Sequence, residues 1–342
     1  MRAVQYAAPL ATPRLVDLPD PECPEGGVVV RVGATGVCRS DWHAWAGHDP
    51  APRPHVPGHE LAGTVHAVGP SVRRWSVGDR VTVPFVCGCG RCAYCRAGDT
   101  HVCPDQTQPG FTGPGSFAEL VALRAADTNL VRLPDDLDVV TAASLGCRLA
   151  TAYRAVVTHG RLGPGDWLAV HGCGGVGLSA VLVGAALGAQ VVAVDVSEAA
   201  LVRAVELGAA ATVRADDPAA AVRDATGGGA HVSLDAVGSP ATAVASVRSL
   251  RRRGRHVQVG LLLGGQATPP LPMDLVVAHE LEVRGSHGMP AHQYPELLHL
   301  VTSGRIDPHL LVGRVIGLDE AGAALMAMSE PTQTTGMTVV RL

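Results

Sequence analysis

Lysine is absent from this chain: all 27 basic residues are arginine, set against 31 acidic ones for a net charge of −4. That balance provides no broad positive field, which disfavours nucleic acid and anionic lipid as partners. The all-arginine usage reads as the mark of a GC-rich genome and says little about function. Aromatic residues are scarce, with three Phe, four Trp and four Tyr, so an apolar cavity in this protein is expected to be lined mainly by aliphatic groups. No run approaches the roughly 20 unbroken apolar residues of a membrane helix. The amino terminus, MRAVQYAAPL, has neither a continuous apolar stretch nor a cleavage-like site. Membrane insertion and secretion are therefore not expected, and a cytoplasmic location is.

What is present is cysteine, in clusters. Five of the nine cysteines fall between Cys87 and Cys103, and in a large chain of a reducing compartment such clustering points to metal rather than to disulfides. Cys89, Cys92, Cys95 and Cys103 follow the pattern C-x2-C-x2-C-x7-C, which suits four thiolates closing a tetrahedron around one zinc. Four thiolates on a divalent ion leave a net charge of about −2 and no vacant position, so this zinc is expected to be structural. Cys87 lies just outside the pattern, either a surplus thiol or a rival for Cys89, which fits the spacing better.

A second donor set begins in GVCRSDWH and continues in GHE, giving Cys38, Ser40, Asp41, His43, His59 and Glu60. A thiolate, an imidazole and carboxylates are the mixture zinc accepts in a partly open site. Cys147, in AASLGCRLATAY, is the candidate third ligand. Two thiolates and a neutral His59 balance the ion's charge and leave a position for a water or alcohol oxygen. Asp41 is either the acceptor that fixes the His59 tautomer or a carboxylate at a helix start, and spacing does not choose. Glu60 is likewise either an alternative ligand or a buried structural acid. Ser40 also reads as a cap for a short helix running to Trp45, and Trp42 and Trp45 stand where they would narrow a pocket.

Further along, WLAVHG reads as a buried strand that enters GCGGVG, followed by a helical run and then VVAVD. Gly172, Gly174 and Gly177 make G-x-G-x-x-G, with Gly175 and Val176 inside it, and Asp195 follows 18 residues after the last glycine. Between a strand and a helix that spacing marks a dinucleotide site, with pyrophosphate at the helix N-terminus. Asp195 would accept hydrogen bonds from the adenosine ribose and repel a 2′-phosphate, favouring NAD over NADP.

With 342 residues, more than one domain is expected. Val-rich runs separated by Gly and Pro (VVVRVGATGV, LAGTVHAVG, DRVTVPF) predict a β-rich domain over residues 1–148, carrying the cysteine lobe 87–104. Alternating strands and helices predict a parallel, doubly wound sheet over 149–286. Residues 287–342 are too short to fold alone and are expected to return to and complete the first domain. The Arg251–Arg253 run reads as a solvated helix end.

These motifs, taken together across nearly the whole chain, resemble the zinc-dependent medium-chain alcohol dehydrogenases. The resemblance implies an α/β chain made of a GroES-like catalytic domain and a Rossmann domain. It also implies Cys38, His59 and Cys147 as ligands of a catalytic zinc, with Glu60 a close and sometimes ligating neighbour. Ser40 would take the substrate alcohol's proton, and His43 would be the outlet of that relay through the cofactor ribose. Arg39 matches a pyrophosphate-binding position, Thr151 and Val176 positions that hold the nicotinamide ring, Leu261 one where backbone meets the nicotinamide amide, and Phe85 a substrate-pocket wall. The usual basic residue after the last Rossmann strand has no clear counterpart, with His287 or His292 as substitutes, and Arg203 stands in question for a missing lysine after Asp195. The expected activity is NAD-dependent interconversion of a primary or secondary alcohol and its carbonyl product, by a homodimer or homotetramer with two zinc ions per chain. Polyol, diol or amino-alcohol oxidation on the same scaffold is the alternative within the class. A zinc-scaffolded redox-sensing binding module is the alternative outside it, opposed by the negative charge.

Overall fold

The computed structural model describes residues 1–330 and 336–342. The chain divides into two compact units, one made of Met1–Ala150 with Gly288–Leu342 and the other of Thr151–His287.

The first unit is built on a long strand, Val28–Val37, which pairs antiparallel with Glu60–Val68 and with Leu120–Leu123. Val28, Val30 and Val32 share one face and are fully or almost fully buried against Leu61, Val65, Val81 and Val121, and Val29 and the residues from Ala34 to Val37 are buried too, so most of this strand is covered on both faces. The carboxy-terminal stretch returns to this sheet: Met337–Arg341 pairs antiparallel with Val28–Val37 and parallel with Val312–Gly317. Its helix Tyr294–Thr302 starts with the buried Tyr294, whose hydroxyl donates to the Gly146 carbonyl at 3.2 Å. The short helix expected from Ser40 to Trp45 runs as Arg39–Ala46, and Ser40 is not its cap: Cys38 takes the N-cap position, where the Asp41 carboxylate accepts from its N–H at 3.0 Å, and Ser40 lies inside the first turn.

The second unit is a six-stranded, all-parallel sheet. In spatial order the strands are Ala211–Val213, Gln190–Val194, Trp167–His171, Ala230–Asp235, Leu250–Gln258 and Glu282–Gly285. The order reverses between Trp167–His171 and Ala230–Asp235, so a switch point lies beside the glycine-rich turn. The helix Glu198–Glu206 begins at Ser197, whose hydroxyl accepts from the Ala200 N–H at 3.3 Å. One expectation fails here. Arg251–Arg253 open the strand Leu250–Gln258, because the preceding helix already stops at Arg248 and Ser249. No helix among the described residues is long and apolar enough to cross a membrane.

Candidate metal centres and nucleotide turn

Cys38 sits at the N-terminal end of the helix Arg39–Ala46, and Asp41 in its first turn binds that end to the GHE segment. One Asp41 carboxylate oxygen accepts from the Cys38 N–H at 3.0 Å, while the other accepts from the Gly58 N–H at 3.0 Å and from His59 Nδ1 at 2.9 Å. The two roles left open for Asp41, helix-start acid and orienter of His59, are filled by the same side chain. With its Nδ1–H committed to Asp41, neutral His59 carries its lone pair on Nε2. That Nε2 is fully buried and has no hydrogen-bond partner among the described residues.

Donor atoms of Cys38, His59, Glu60 and Cys147 all lie within 4.8 Å of one another, and all four residues are buried. Cys147 enters from a π-helical turn, Leu145–Leu149. Such widened turns displace backbone groups from the regular ladder, and the Arg148 N–H instead donates to a Glu60 carboxylate oxygen at 3.1 Å. Arg148 Nε donates to the same oxygen at 2.9 Å and its Nη2 to the other. The Glu60 carboxylate is thus a member of the cluster and also half of a buried ion pair. Sequence reasoning missed Arg148. Its signal was the placement of an arginine next to a candidate ligand in an otherwise apolar stretch, where a nearby buried acid needs a counter-charge.

The Cys38 thiol is held well below its ordinary pKa, first by a hydrogen bond with Cys147, against the opposing effect of burial. Cys147 is raised correspondingly, by that same bond and by burial. On His59 burial opposes the charged form, but the Asp41 carboxylate outweighs it and lifts the imidazole well above the usual value. Two close thiols that share one proton, beside an imidazole whose buried Nε2 finds no partner among the described residues, are groups that lack a shared cation. The donor set therefore fits zinc: two thiolates neutralise its charge, and Glu60 is already balanced by Arg148. Two rings flank His59, Phe111 at 5.0 Å and Phe85 at 6.1 Å between centroids. Phe111 was not singled out from the sequence.

Ser40 and His43 are on the same helix, three residues apart and so on neighbouring positions of one face. Arg39 is exposed, with Nη1 donating to the Met328 carbonyl at 2.6 Å and its guanidinium 4.9 Å from the Trp42 ring centre.

In the cysteine lobe, Sγ atoms of Cys89 and Cys95 are 4.0 Å apart and those of Cys92 and Cys103 are 3.7 Å apart. A tetrahedron with 2.3 Å zinc–sulfur bonds has edges of about 3.8 Å. Backbone N–H groups of Cys89, Cys95 and Asp105 point at the Cys103, Cys92 and Cys103 sulfurs at 3.3–3.4 Å, the donors a thiolate cluster needs. Cys87 stands apart from the four. It is buried, its Sγ donates to the Pro84 carbonyl at 3.5 Å, and burial pushes its pKa up to about 12. His292 packs on Gly98 of this lobe.

In the second unit the strand Trp167–His171 passes through Gly172, at φ +93°, into the helix Gly175–Ala186. A Cβ on Gly177 would stand 1.7 Å from the Gly172 carbonyl oxygen, so the close turn requires glycine there. Among the described residues a Cβ on Gly174 would meet nothing within 4 Å, which leaves the helix N-terminus approachable by a phosphate. Asp195 is tied to this turn: its carboxylate accepts from the Cys173 N–H at 2.6 Å and the Ser197 N–H at 2.8 Å. A cavity of about 800 Å³ opens here, lined among others by Gly172, Asp195, Val196, Arg214, Thr242 and Arg248. Arg214 and Arg248 had escaped notice, since each lies far from the glycine motif in sequence.

Thr151 Oγ1 is buried and unpartnered among the described residues, Val176 is half-buried in the first turn of the helix, and Leu261 is half exposed. Arg203 pairs with Glu206 on its own helix at 2.5 Å. His287 is exposed.

A GroES-like β unit carrying two thiolate-rich centres and a Rossmann unit with a free helix N-terminus define a zinc-binding, nucleotide-dependent dehydrogenase architecture. The alcohol dehydrogenase GroES-like domain model matches residues 24–135, and the zinc-binding dehydrogenase model matches residues 175–303. An alcohol dehydrogenase of Geobacillus stearothermophilus is 35% identical over 307 residues, 88% of either chain. A sorbitol dehydrogenase of Bacillus subtilis is 31% identical over 322 residues, 91% of this chain and 89% of that one. The solved alcohol dehydrogenase of Thermus sp. ATN1 superposes with a TM-score of 0.91 at 31% identity, covering 100% of this chain and 99% of that one. The chain belongs to the zinc-dependent medium-chain alcohol dehydrogenases.

Proposed function

We propose that this protein interconverts a primary or secondary alcohol and its aldehyde or ketone with NAD, at a site in which Cys38, His59 and Cys147 hold a catalytic zinc. The observation that carries the reading is the buried Nε2 of His59, without a hydrogen-bond partner among the described residues, within a compact set of two thiols and a carboxylate. When bound, zinc supplies Lewis acidity toward the substrate oxygen and NAD accepts the hydride. The protein's own groups do the rest. Asp41 fixes the tautomer of His59. The Glu60–Arg148 pair keeps the set near neutrality. Ser40 accepts the substrate's hydroxyl proton and His43 carries it outward. Phe85, Phe111 and the surrounding aliphatic residues keep water from the reacting atoms.

On the second unit, Gly172, Gly174, Gly175, Val176 and Gly177 would receive the pyrophosphate, Asp195 the adenosine ribose, and Thr151 and Leu261 the nicotinamide; Arg39, in the first unit, is a candidate anion-binding side chain. Cys89, Cys92, Cys95 and Cys103 would close around a structural zinc. Nine free thiols suit a reducing compartment such as the cytoplasm, and a homodimer or homotetramer is the expected assembly. The test is replacement of either thiolate: Cys38→Ala or Cys147→Ala should abolish turnover while NADH still binds with near-unchanged affinity. Full activity in either variant ends the reading. Likeness to a sorbitol dehydrogenase favours polyol or diol substrates as a second reading, and a panel of simple alcohols, diols and polyols with NAD and NADP decides between them.

A further inference from the structure

The helix Arg39–Ala46 ends at Gly47, which takes the left-handed conformation at φ +85°. The chain then folds back so that the N–H groups of His48 and Asp49 both donate to the His43 carbonyl, at 2.9 and 3.3 Å. This return brings the His43 and His48 rings together, Nδ1 to Nδ1 at 3.1 Å. The Trp42 indole lies edge-on to both imidazoles, at 5.1 and 5.3 Å between centroids. Trp42 is itself fixed by a hydrogen bond from Nε1 to Ser329 Oγ at 2.9 Å and by the Arg39 guanidinium near its ring. Backbone and side-chain contacts thus hold the imidazole pair in register.

We propose that His48 is the third member of the proton relay, after Ser40 and His43, a positioning residue that takes the proton from His43 and delivers it to water. The inference rests on the reading of Ser40 and His43 given above and extends it by one residue. Nδ1 of one ring must carry a hydrogen and that of the other must accept it. With the hydrogen on His43, a proton arriving at His43 Nε2 lets the Nδ1–H pass to His48 Nδ1. The His48 Nε2–H then leaves to solvent. One proton enters, one leaves, and both rings end neutral in the opposite tautomer. His43 is half-buried whereas His48 is exposed, so the second ring provides the outlet that the first lacks.

Doubly charged, the pair would lose its hydrogen bond and repel. His43 is accordingly held below the ordinary histidine value by burial first, then by His48 and Arg39, with Cys38 and Asp49 acting the other way. From the facing segment, Met328 and Ser329 reach this helix with a carbonyl and a hydroxyl.

The test compares His43→Gln and His48→Gln holoenzymes in transient alcohol oxidation, following proton release with an indicator dye across pH 5.5–9, with NADH affinity as control. His48→Gln should slow proton release about 10-fold in dilute buffer, leave NADH affinity unchanged, and be rescued by concentrated imidazole. In a titration of the imidazole resonances, the same substitution should raise the apparent pKa of His43. Proton release at the wild-type rate in His48→Gln, with His43→Gln slowed, overturns the proposal but spares the underlying relay. Wild-type release in His43→Gln overturns the relay reading itself and the extension with it.

Discussion

Asp41 shows how much of this site hangs on one side chain. Its two oxygens receive three hydrogen bonds, from a helix start, from the GHE backbone and from the imidazole of His59. An alanine there frees the His59 ring to turn and leaves two buried N–H groups unpaired. Asp41→Ala is expected to weaken binding of the more labile zinc by 10- to 100-fold, read by competition against a chelator. Unaltered metal affinity would mean that packing alone orients His59. The ion pair behind the cluster makes a separate prediction. Arg148 is 8% and Glu60 0% exposed at the side chain, so Arg148→Met strands a buried carboxylate next to thiolates. The expected loss is about 3–5 kcal/mol in denaturant unfolding, and adding Glu60→Gln should recover a substantial part, because an apolar or neutral pair avoids the desolvation cost of both charges. A double variant no more stable than Arg148→Met would show that the pair contributes nothing through charge.

At the scale of elements, the glycine turn separates two demands that the motif G-x-G-x-x-G merges. Gly177 is required by the fold, since its Cβ would collide with the Gly172 carbonyl, whereas Gly174 faces open space. Gly177→Ala is therefore expected to lower thermal stability along with cofactor binding. Gly174→Val should leave the melting temperature within a degree or two while weakening NADH binding at least 10-fold, because only an occupant of the turn feels the side chain. Equal stability losses in both would undo that division. Elements of this kind were legible in sequence because their cause is local: a positive φ, a strand's alternation, a cap at Ser197. The strands Val28–Val37 and Trp167–His171 fall where VVVRVGATGV and WLAVHG put them. The parts that escaped notice have non-local causes. Arg148 and Glu60 are 88 residues apart, Phe111 reaches His59 from another loop, and Arg214 and Arg248 line the nucleotide cavity from separate strand and helix ends. Arg251–Arg253 were misjudged because three charges suggest a solvated helix end, yet the helix already stops before them and all three are exposed in the first part of a strand.

For the molecule as a whole, acid sensitivity is expected to reside largely in the nucleotide-binding unit. His171, at the end of the strand that enters the glycine turn, is 1% exposed and bonded to Ser249 Oγ at 3.2 Å. Burial, with a smaller contribution from His256, pulls its pKa down to about 3. It stays neutral in the folded state at pH 5, whereas the unfolded chain binds a proton on it below about pH 6.5. The unfolded state thus binds more protons across this window, and stability must fall as the pH drops. The stability is fully present above pH 6.5 and is lost progressively as the pH falls toward 3, a loss of about 2 kcal/mol at pH 5 relative to neutrality for this one group. His256, also buried and also shifted downward mainly by burial, adds in the same direction. Unfolding free energies measured at pH 5 and pH 7 check this directly. His171→Gln keeps a hydrogen-bonding side chain without the titration, so it should shed about 2 kcal/mol of the difference between the two conditions. If the variant shows the same pH slope as the parent chain, the acid response arises from the carboxylates or the thiolate centres, and neutral burial of His171 is not what sets it.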